Sequence, residues 1–275
     1  MRLEDVLKWF FEEYLPQEFG VNGFRFNSPS DGTTLVEKCR TIASEMDGVL
    51  KQFRRYVQDG QIDRELFEMS SEHIVFSNLS GFAEDKYAYA NSDDIQNEQF
   101  LLFSDQSHLY YIEKYKNKYN RFCDLVIQED VSISDFWEYQ QEKIQWLIGK
   151  DIVIKTPEGY LKLNVPKVYI LKDLYDHDVI CSQYYDSELR SVVDEWCKSG
   201  DLRLENSLFS KPEQDYLNYE LNKSSFSNGL DLRNKYAHST YPEDEKIQFV
   251  DYIRLLKIMI LVITKINEEF CLRGE

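Results

Sequence analysis

Apolar residues recur at helical spacing over most of this chain, separated by short polar breaks. The first such stripe runs from Leu3 to Tyr14 and is expected to end before Pro16. A second helix is predicted after Thr34, because a threonine followed three residues later by Glu37 forms a capping box. This helix should end near Gln58, so the chain begins with a helical region.

The middle of the chain is less regular. From Ile74 to Tyr89 no period dominates, and the pattern assigns no structure there. Further helices are predicted over Ile62 to Glu68, from the cap Ser92 through Ile127 with an interruption near residues 104–107, and from the capping box of Ser132 and Asp135 to Gly149.

The stretch "DIVIKTPEGYLKLN", residues 151–164, carries the clearest strand signal. Two short alternating runs flank a turn that contains proline and glycine, which predicts a β-hairpin. Beyond it, helices are predicted at about 167–176, 187–198, 212–223, 229–238 and 242–271. The sequence therefore predicts a mainly α protein with three parts: a helical region of unknown role (1–150), a hairpin connector (151–165) and an antiparallel helical bundle (166–275).

Composition and charge limit the functions that fit. The 275 residues include 29% charged and 43% hydrophobic side chains, as in globular proteins. The net charge of −17 argues against a general nucleic-acid coat, because phosphates are neutralised by clustered Lys and Arg. Any RNA contact is therefore expected to be local.

The cysteines and apolar segments bear on location. Five scattered cysteines without a CxxC pair indicate reduced thiols and a cytoplasmic protein. The longest apolar segment, Ile258 to Ile263, is far shorter than the roughly 20 residues of a membrane span, so no membrane association is predicted.

Four histidines and no HExxH pattern give no metal site and no cofactor prediction. The acidic stretch around His177 could bind a cation, but a solvated acidic loop explains it equally well.

One stretch combines spacing and residue types that suggest catalysis. In "RNKYAH", Arg233 precedes His238 by five positions and Asn234 follows the arginine. The stretch lies at the end of a predicted helix, and Thr240, Pro242 and Glu243 then restart a helix. A polar hinge between apolar helices can hold reactive side chains and expose them.

These residues resemble the signature of the HEPN family, small helical bundles in which an arginine, often followed by asparagine, precedes a histidine by four to six residues. The resemblance covers roughly residues 166–275 and does not extend to the first 150. Ser239 stands where such proteins commonly have glycine. The resemblance implies a metal-independent endoribonuclease in which two copies of the motif meet across a homodimer.

The chemistry of the residues is compatible with RNA cleavage, because RNA supplies its own nucleophile, the 2′-OH. In this interpretation His238 is the general acid or base, Arg233 stabilises the phosphate in the transition state, and Asn234 orients the histidine or the phosphate. Lys235 and Tyr236 are candidate RNA contacts. Five residues span about 500° of an ideal helix, so Arg233 and His238 do not share a face, which favours a second protomer in the site.

A purely structural interpretation of the same residues stays open. In it Arg233 pairs with Asp231 or Glu243, Asn234 caps a helix, Tyr236 packs in the core and His238 closes the helix.

The corresponding alternative function is a non-catalytic HEPN-like module that dimerises or engages a protein or nucleotide partner; a third is an enzyme acting on small nucleotides. The family analogy further suggests a bacterial toxin or antiphage defence effector with a regulatory protein partner.

Two other patterns have two interpretations each. Lysines alternate with Tyr111, Tyr115 and Tyr119, which suits either a nucleic-acid platform or one packed face of a helix. The last predicted helix is apolar on more than one side, as expected for a helix that is central in its bundle or shared with a partner.

Overall fold

The computed structural model describes residues 2–62, 74–223, 225–238 and 241–273, and its regular structure is mainly helical, as predicted. The helices are α1 (Leu3–Trp9), α2 (Leu15–Phe19), α3 (Leu35–Asp59), α4 (Asp93–Phe103), α5 (Phe122–Gln128), α6 (Glu138–Gly149), α7 (Val165–His177), α8 (Ser187–Ser199), α9 (Lys211–Leu221), α10 (Leu232–Ala237) and α11 (Glu245–Arg273). The strands are β1 (Tyr87–Ala90), β2 (Val153–Lys155), β3 (Leu161–Leu163), β4 (Ile180–Cys181) and β5 (Leu202–Glu205).

The chain divides into two compact units that do not follow the sequence order. Unit 1 comprises Met1–Glu84 and Asn206–Glu275, and unit 2 comprises Asp85–Glu205. The boundaries predicted at 150 and 165 differ from this division. The reason is that α11 packs mainly on α3, far away in sequence, whereas α7 and α8 pack with the hairpin and the sheet of the intervening segment.

Unit 1 is built around α3 and α11. The apolar stripe of α3 is fully buried, and so are Leu255, Met259, Val262 and Ile266 of α11. One end of this core is aromatic, with the rings of Phe53, Tyr56, Phe82 and Phe270 in mutual contact. Each fully buried Phe contributes about 1.5–3 kcal/mol of apolar burial. Central burial thus accounts for the broad apolar surface of α11.

A buried carboxylate fixes the loop that follows Ser80 in unit 1, where Ser80 forms an isolated β-bridge with Ser207. Glu269 is fully buried and accepts the backbone N–H groups of Phe82 (2.6 Å) and Ala83 (3.1 Å). A Cβ at Gly81 would stand 2.2 Å from the carboxylate, so only glycine permits this approach.

Unit 2 places helices around a small antiparallel sheet. The strand order is β4-β1-β5, and Ala88 of β1 faces Ile180 and Leu204 in the register. A second core forms from α4 to α8 and the separate hairpin of β2 and β3. The predicted hairpin is confirmed, whereas β4 and β5 were not predicted from the sequence.

The N-terminal helical predictions are partly confirmed. Thr34 accepts the N–H of Glu37 at 3.2 Å and caps α3, as predicted. The expected stop before Pro16 is wrong. A π-helical turn, Phe10–Tyr14, joins α1 to α2, and Pro16 lies in the first turn of α2, where no N–H is needed.

The long helix predicted from Ser92 through Ile127 is wrong beyond the expected interruption. Ser92 caps α4, which ends at Phe103, and Ser104 then caps a 3₁₀ turn. His108 and Asn117 adopt positive φ, so no helix passes through them. The tyrosines at helical spacing consequently do not form a helical face.

Other boundaries shift by a few residues. The Ser132 and Asp135 capping box exists but opens a 3₁₀ turn, and α6 begins only at Glu138. α10 is shorter than the predicted 229–238 helix, and α11 begins at Glu245 after Asp244 rather than at Pro242. The helix predicted at Ile62 to Glu68 lies almost entirely outside the described residues, as does Thr240.

Candidate functional site

The predicted motif lies on α10 of unit 1, at the point where the chain leaves α9. Gly229 makes this path possible, since a Cβ there would stand 2.9 Å from the carbonyl oxygens of Tyr219 and Asn222. Leu230 then donates its N–H to the Tyr219 carbonyl at 2.8 Å. Asp231 adopts a left-handed conformation (φ 57°), and α10 begins at the next residue. The turn therefore delivers Arg233 onto α3.

Arg233 is held from three directions. Its Nη2 lies 2.6 Å from Oδ1 of Asp47 on α3, and its Nη1 donates to Oδ1 of Asn222 at 3.1 Å. The guanidinium also lies 5.7 Å from the ring centre of Phe76. The side chain is 14% exposed, so solvent screens the ion pair only partly. These contacts fix the guanidinium, and they leave its Nη2 atom fully buried.

Asp251 of α11 anchors the other side of α10. Its carboxylate is 1% exposed, and Oδ2 accepts from Nζ of Lys235 and from the hydroxyl of Tyr236, each at 3.0 Å. Arg254 adds an ion pair of 3.5 Å with Oδ1. The buried charge is therefore compensated by two cations and one hydroxyl, as burial of a carboxylate requires.

Tyr236 is a core residue. It is fully buried, and its ring stacks on Tyr241 with a centroid distance of 6.0 Å. Burial raises the pKa of its phenol, and the neighbouring Cys39 and the hydrogen bond to Asp251 raise it further. Burial likewise raises the pKa of the Cys39 thiol to about 12. Both groups stay neutral at physiological pH and serve packing.

Asn234 and His238 lie on the solvent side. Asn234 donates from Nδ2 to Oδ1 of Asp231 at 2.9 Å, which ties it to the start of its own helix. His238 follows the last residue of α10, and its backbone N–H donates to the Asn234 carbonyl at 2.9 Å. Its imidazole is exposed and has no hydrogen bond within the described residues.

The structure thus separates the five predicted residues into two groups. Arg233, Lys235 and Tyr236 are engaged by side chains of α3, α11 and the end of α9, whereas Asn234 and His238 face solvent. Among the described residues there is no hydrogen bond between the side chains of Arg233 and His238. Chemically, the motif offers one exposed imidazole that can act as acid or base, and one firmly held cation.

Sequence reasoning missed the residues that hold the motif. Asp47, Asn222 and Asp251 are the partners, whereas pairing of Arg233 with Asp231 or Glu243 was expected in the structural interpretation. That interpretation was correct in placing Tyr236 in the core. The available signal was that Asp251 falls on the buried side of α11, where most positions are apolar.

The described residues contain no group of three or more His, Cys, Asp or Glu arranged to hold a metal ion. No described helix has an apolar stretch sufficient to cross a bilayer. Comparisons of the chain with protein-family models, with curated proteins and with solved structures gave no match. The function must therefore be argued from the residues of the site.

Proposed function

We propose that the chain is a metal-independent endoribonuclease of the HEPN type, with His238 as general acid or base and Arg233 as the phosphate-binding cation. The observation that carries this proposal is that the side chains of α10 are held firmly, whereas the imidazole of His238 directly after it is exposed. Its body is fixed by Asp47, Asn222 and Asp251, while the imidazole that follows it is exposed and has no hydrogen bond among the described residues. A rigid support with one free imidazole is what proton transfer at a positioned site requires.

In the proposed reaction the 2′-oxygen of RNA attacks the adjacent phosphorus and the bond to the 5′-oxygen breaks. A base accepts the 2′-OH proton, an acid protonates the departing 5′-oxygen, and the products carry 2′,3′-cyclic phosphate and 5′-OH ends. Arg233 has five N–H donors, of which one hydrogen-bonds Asn222, while Nη2 is buried beside Asp47. The proposal assigns other donors of this guanidinium to a phosphorane oxygen, which the neighbouring Asn234 amide would share.

The proposal includes a homodimer that brings two motifs together. Three apolar side chains in the first turns of α11 support this step: Ile247, Phe249 and Val250 are 47%, 53% and 48% exposed. Exposed apolar side chains at the start of a helix suit a protein interface.

The wider setting is part of the same proposal. We place the protein in the cytoplasm, where the five free cysteines would stay reduced, as a toxin or antiphage effector with a regulatory protein partner. RNA would be contacted locally, through Lys235 and the solvent side of α10, because the net charge is −17.

The test is cleavage of a mixed RNA pool by the purified chain in EDTA, with analysis of product ends. Wild type should cut and leave cyclic phosphates, whereas His238→Ala should lose at least about 100-fold in rate, the usual scale of acid–base catalysis, without losing stability. His177→Ala is the matched control, because it removes another exposed histidine, from unit 2. Arg233→Lys retains the charge but not the fork of donors, and should cut slowly. Equal cleavage by wild type and His238→Ala would refute the catalytic role.

A second candidate function is a non-catalytic HEPN-like module that binds a partner. The engagement of Arg233, Lys235 and Tyr236 by carboxylates favours it, since such contacts stabilise a fold without any reaction. It predicts that RNA stays intact with every variant while Phe249→Ser changes the mass measured by analytical ultracentrifugation. Retained dimer mass in that variant, combined with cleavage by wild type, would reject this candidate.

A further inference from the structure

Unit 2 contains a polar cleft that the proposed reaction does not use. Its volume is about 440 Å³, within the roughly 300–1,000 Å³ typical of small-molecule sites. The lining residues are Phe103, Asp105, Asn120, Arg121, Asp124 and Tyr175. They come from the end of α4, the 3₁₀ turn after it, the start of α5 and the end of α7, so four parts of the unit converge there.

The charged side chains of this cleft are exposed and make few contacts with other described residues. Within the described residues, the guanidinium of Arg121 makes no ion pair or hydrogen bond, and the same is true of the Asp105 carboxylate. Asp124 accepts only a weak contact from the Cys123 thiol, at 3.6 Å. Lys172 and, as a smaller contribution, Arg121 lower the pKa of Asp176, so Arg121 has a carboxylate nearby but no ion pair with it. The cleft therefore offers one cation and two anions to a ligand.

An aromatic wall completes the cleft. The rings of Phe103 and Tyr175 are 5.3 Å apart, and Tyr175 is 41% exposed. Nζ of Lys172 already lies 5.8 Å and 6.0 Å from the two ring centres, so this wall attracts cations. Lys172 is itself paired with Asp176, and the two charges cancel.

The charge pattern selects the class of ligand. With Lys172 and Asp176 balanced, the lining carries Arg121 against Asp105 and Asp124, a net charge of −1. A complementary ligand has one anionic group and two cationic groups. A nucleotide brings at least two negative charges and would meet the carboxylates of Asp105 and Asp124 with only the guanidinium of Arg121 to balance them, which disfavours it.

We propose that this cleft binds a basic α-amino acid, with its carboxylate on Arg121 and its two cationic groups on Asp105 and Asp124. A guanidinium is suited to a carboxylate because it can donate two parallel hydrogen bonds. The methylene chain of the ligand would lie along Tyr175, and Asn120 supplies an amide for a further hydrogen bond. This site is independent of the proposed RNA cleavage.

The test is isothermal titration calorimetry of the full chain with L-arginine and L-lysine. Saturable binding of at least one of them is expected, with at least about tenfold weaker binding of agmatine, which lacks the carboxylate, and of L-norleucine, which lacks the side-chain cation. Arg121→Gln and Asp124→Asn should each weaken binding at least about tenfold. Neither change should unfold the protein, because neither side chain has a strong internal partner.

Arg25→Gln is the matched control, since it removes a 61% exposed arginine from unit 1, and it should bind like wild type. The proposal is overturned if neither basic amino acid binds below roughly 10 mM, or if Arg121→Gln and Asp124→Asn bind them as wild type does. Binding of guanosine or adenosine monophosphate in preference to both amino acids would also overturn it and would assign the cleft to nucleotides.

Discussion

Glu98 provides the sharpest test of the electrostatics in unit 2. It lies on α4, is 4% exposed, and its Oε2 has no hydrogen-bond partner within the described part of the chain. Burial raises the pKa of this carboxyl from its ordinary 4.5 to about 7. The charged groups that face it are Lys150 and Lys167, which lower the pKa, and Asp201 and Asp94, which raise it. The burial effect exceeds the help from the two lysines.

The magnitude follows from linkage between protonation and folding. The folded pKa lies above the unfolded one, so between about pH 4.5 and about pH 7 the folded protein holds a proton that the unfolded chain has released. The protonated Glu98 therefore contributes to the stability of the folded protein. This contribution is complete below the unfolded pKa and is lost as the pH rises through the folded pKa. The difference between the two pKa values corresponds to about 3 kcal/mol, at about 1.4 kcal/mol for each pH unit.

Glu98→Gln removes the titration while keeping the shape of the side chain. The free energy of unfolding of the variant, relative to wild type, should rise by about 3 kcal/mol between about pH 4 and about pH 8. Urea unfolding followed by tryptophan fluorescence measures this difference. Three of the four tryptophans, Trp137, Trp146 and Trp196, belong to unit 2 and report on it.

Glu142→Gln is the control, because Glu142 is exposed and lies in the middle of α6. Its stability profile should run parallel to that of wild type. If the Glu98→Gln profile is also parallel to wild type over this pH range, the buried carboxylate does not take up a proton on folding, and the reasoning is wrong.

Two further substitutions test the packing of unit 1. Gly81→Ala should lower the free energy of unfolding by about 1–3 kcal/mol, because its Cβ would collide with the Glu269 carboxylate. Thermal unfolding measures this loss. The control is Gly48→Ala in α3, which should be neutral or stabilising because the nearest atom to its Cβ lies 4.0 Å away. Equal losses of stability in the two variants would contradict the clash at Gly81. Asp251→Asn should lower the free energy of unfolding by about 1.5–3 kcal/mol, because Lys235 and Tyr236 lose a charged hydrogen-bond acceptor. The control is Asp130→Asn, whose ion pair with Lys162 is exposed, and denaturant unfolding should show a loss of stability below about 1 kcal/mol for it. A similarly small loss for Asp251→Asn would contradict the anchoring role of Asp251.

Local signals in the sequence were sufficient for helix starts and for the hairpin. The capping residues Thr34 and Ser92 act on N–H groups three positions away, and the turn between β2 and β3 is closed by a bond from Thr156 N–H to the Tyr160 carbonyl at 2.8 Å. Both the signal and its effect lie within a few residues. Such features are readable because no distant part of the chain is needed to form them.

The helix predicted between residues 104 and 121 is wrong because local spacing alone did not determine the structure there. Tyr111, Tyr115 and Tyr119 have the spacing of a helical face, but Tyr119 instead donates its hydroxyl to Glu129 at 2.5 Å, beyond the end of α5. Hydroxyls near the end of α4 add to this, since Ser107 donates to the Leu101 carbonyl at 3.3 Å and competes with helical hydrogen bonds. Side-chain hydrogen bonds of Tyr119 and Ser107 thus accompany the non-helical conformation of this stretch.

The division into units was also beyond the reach of periodicity. Arg40 of α3 donates to the Tyr236 carbonyl at 2.9 Å, and the Cys39 thiol contacts the Gln248 carbonyl at 3.7 Å, across about 200 residues of sequence. An amphipathic pattern states that a helix will bury one face, but it does not state against which helix. For the candidate site, the sequence thus located the motif but not Asp47 or Asp251.

The anchoring of α10 determines which substitution can separate chemistry from stability. Replacing Arg233 leaves Asp47 without its 2.6 Å partner in a partly buried position, so lost activity there would combine a chemical effect with a structural one. Lys235 and Tyr236 share this difficulty, because both bind the buried Asp251. His238 does not, since its imidazole is exposed and makes no described hydrogen bond. A change at His238 that leaves unfolding unaltered but abolishes cleavage can therefore act only through the exposed imidazole, which makes this position decisive between the nuclease and the binding module.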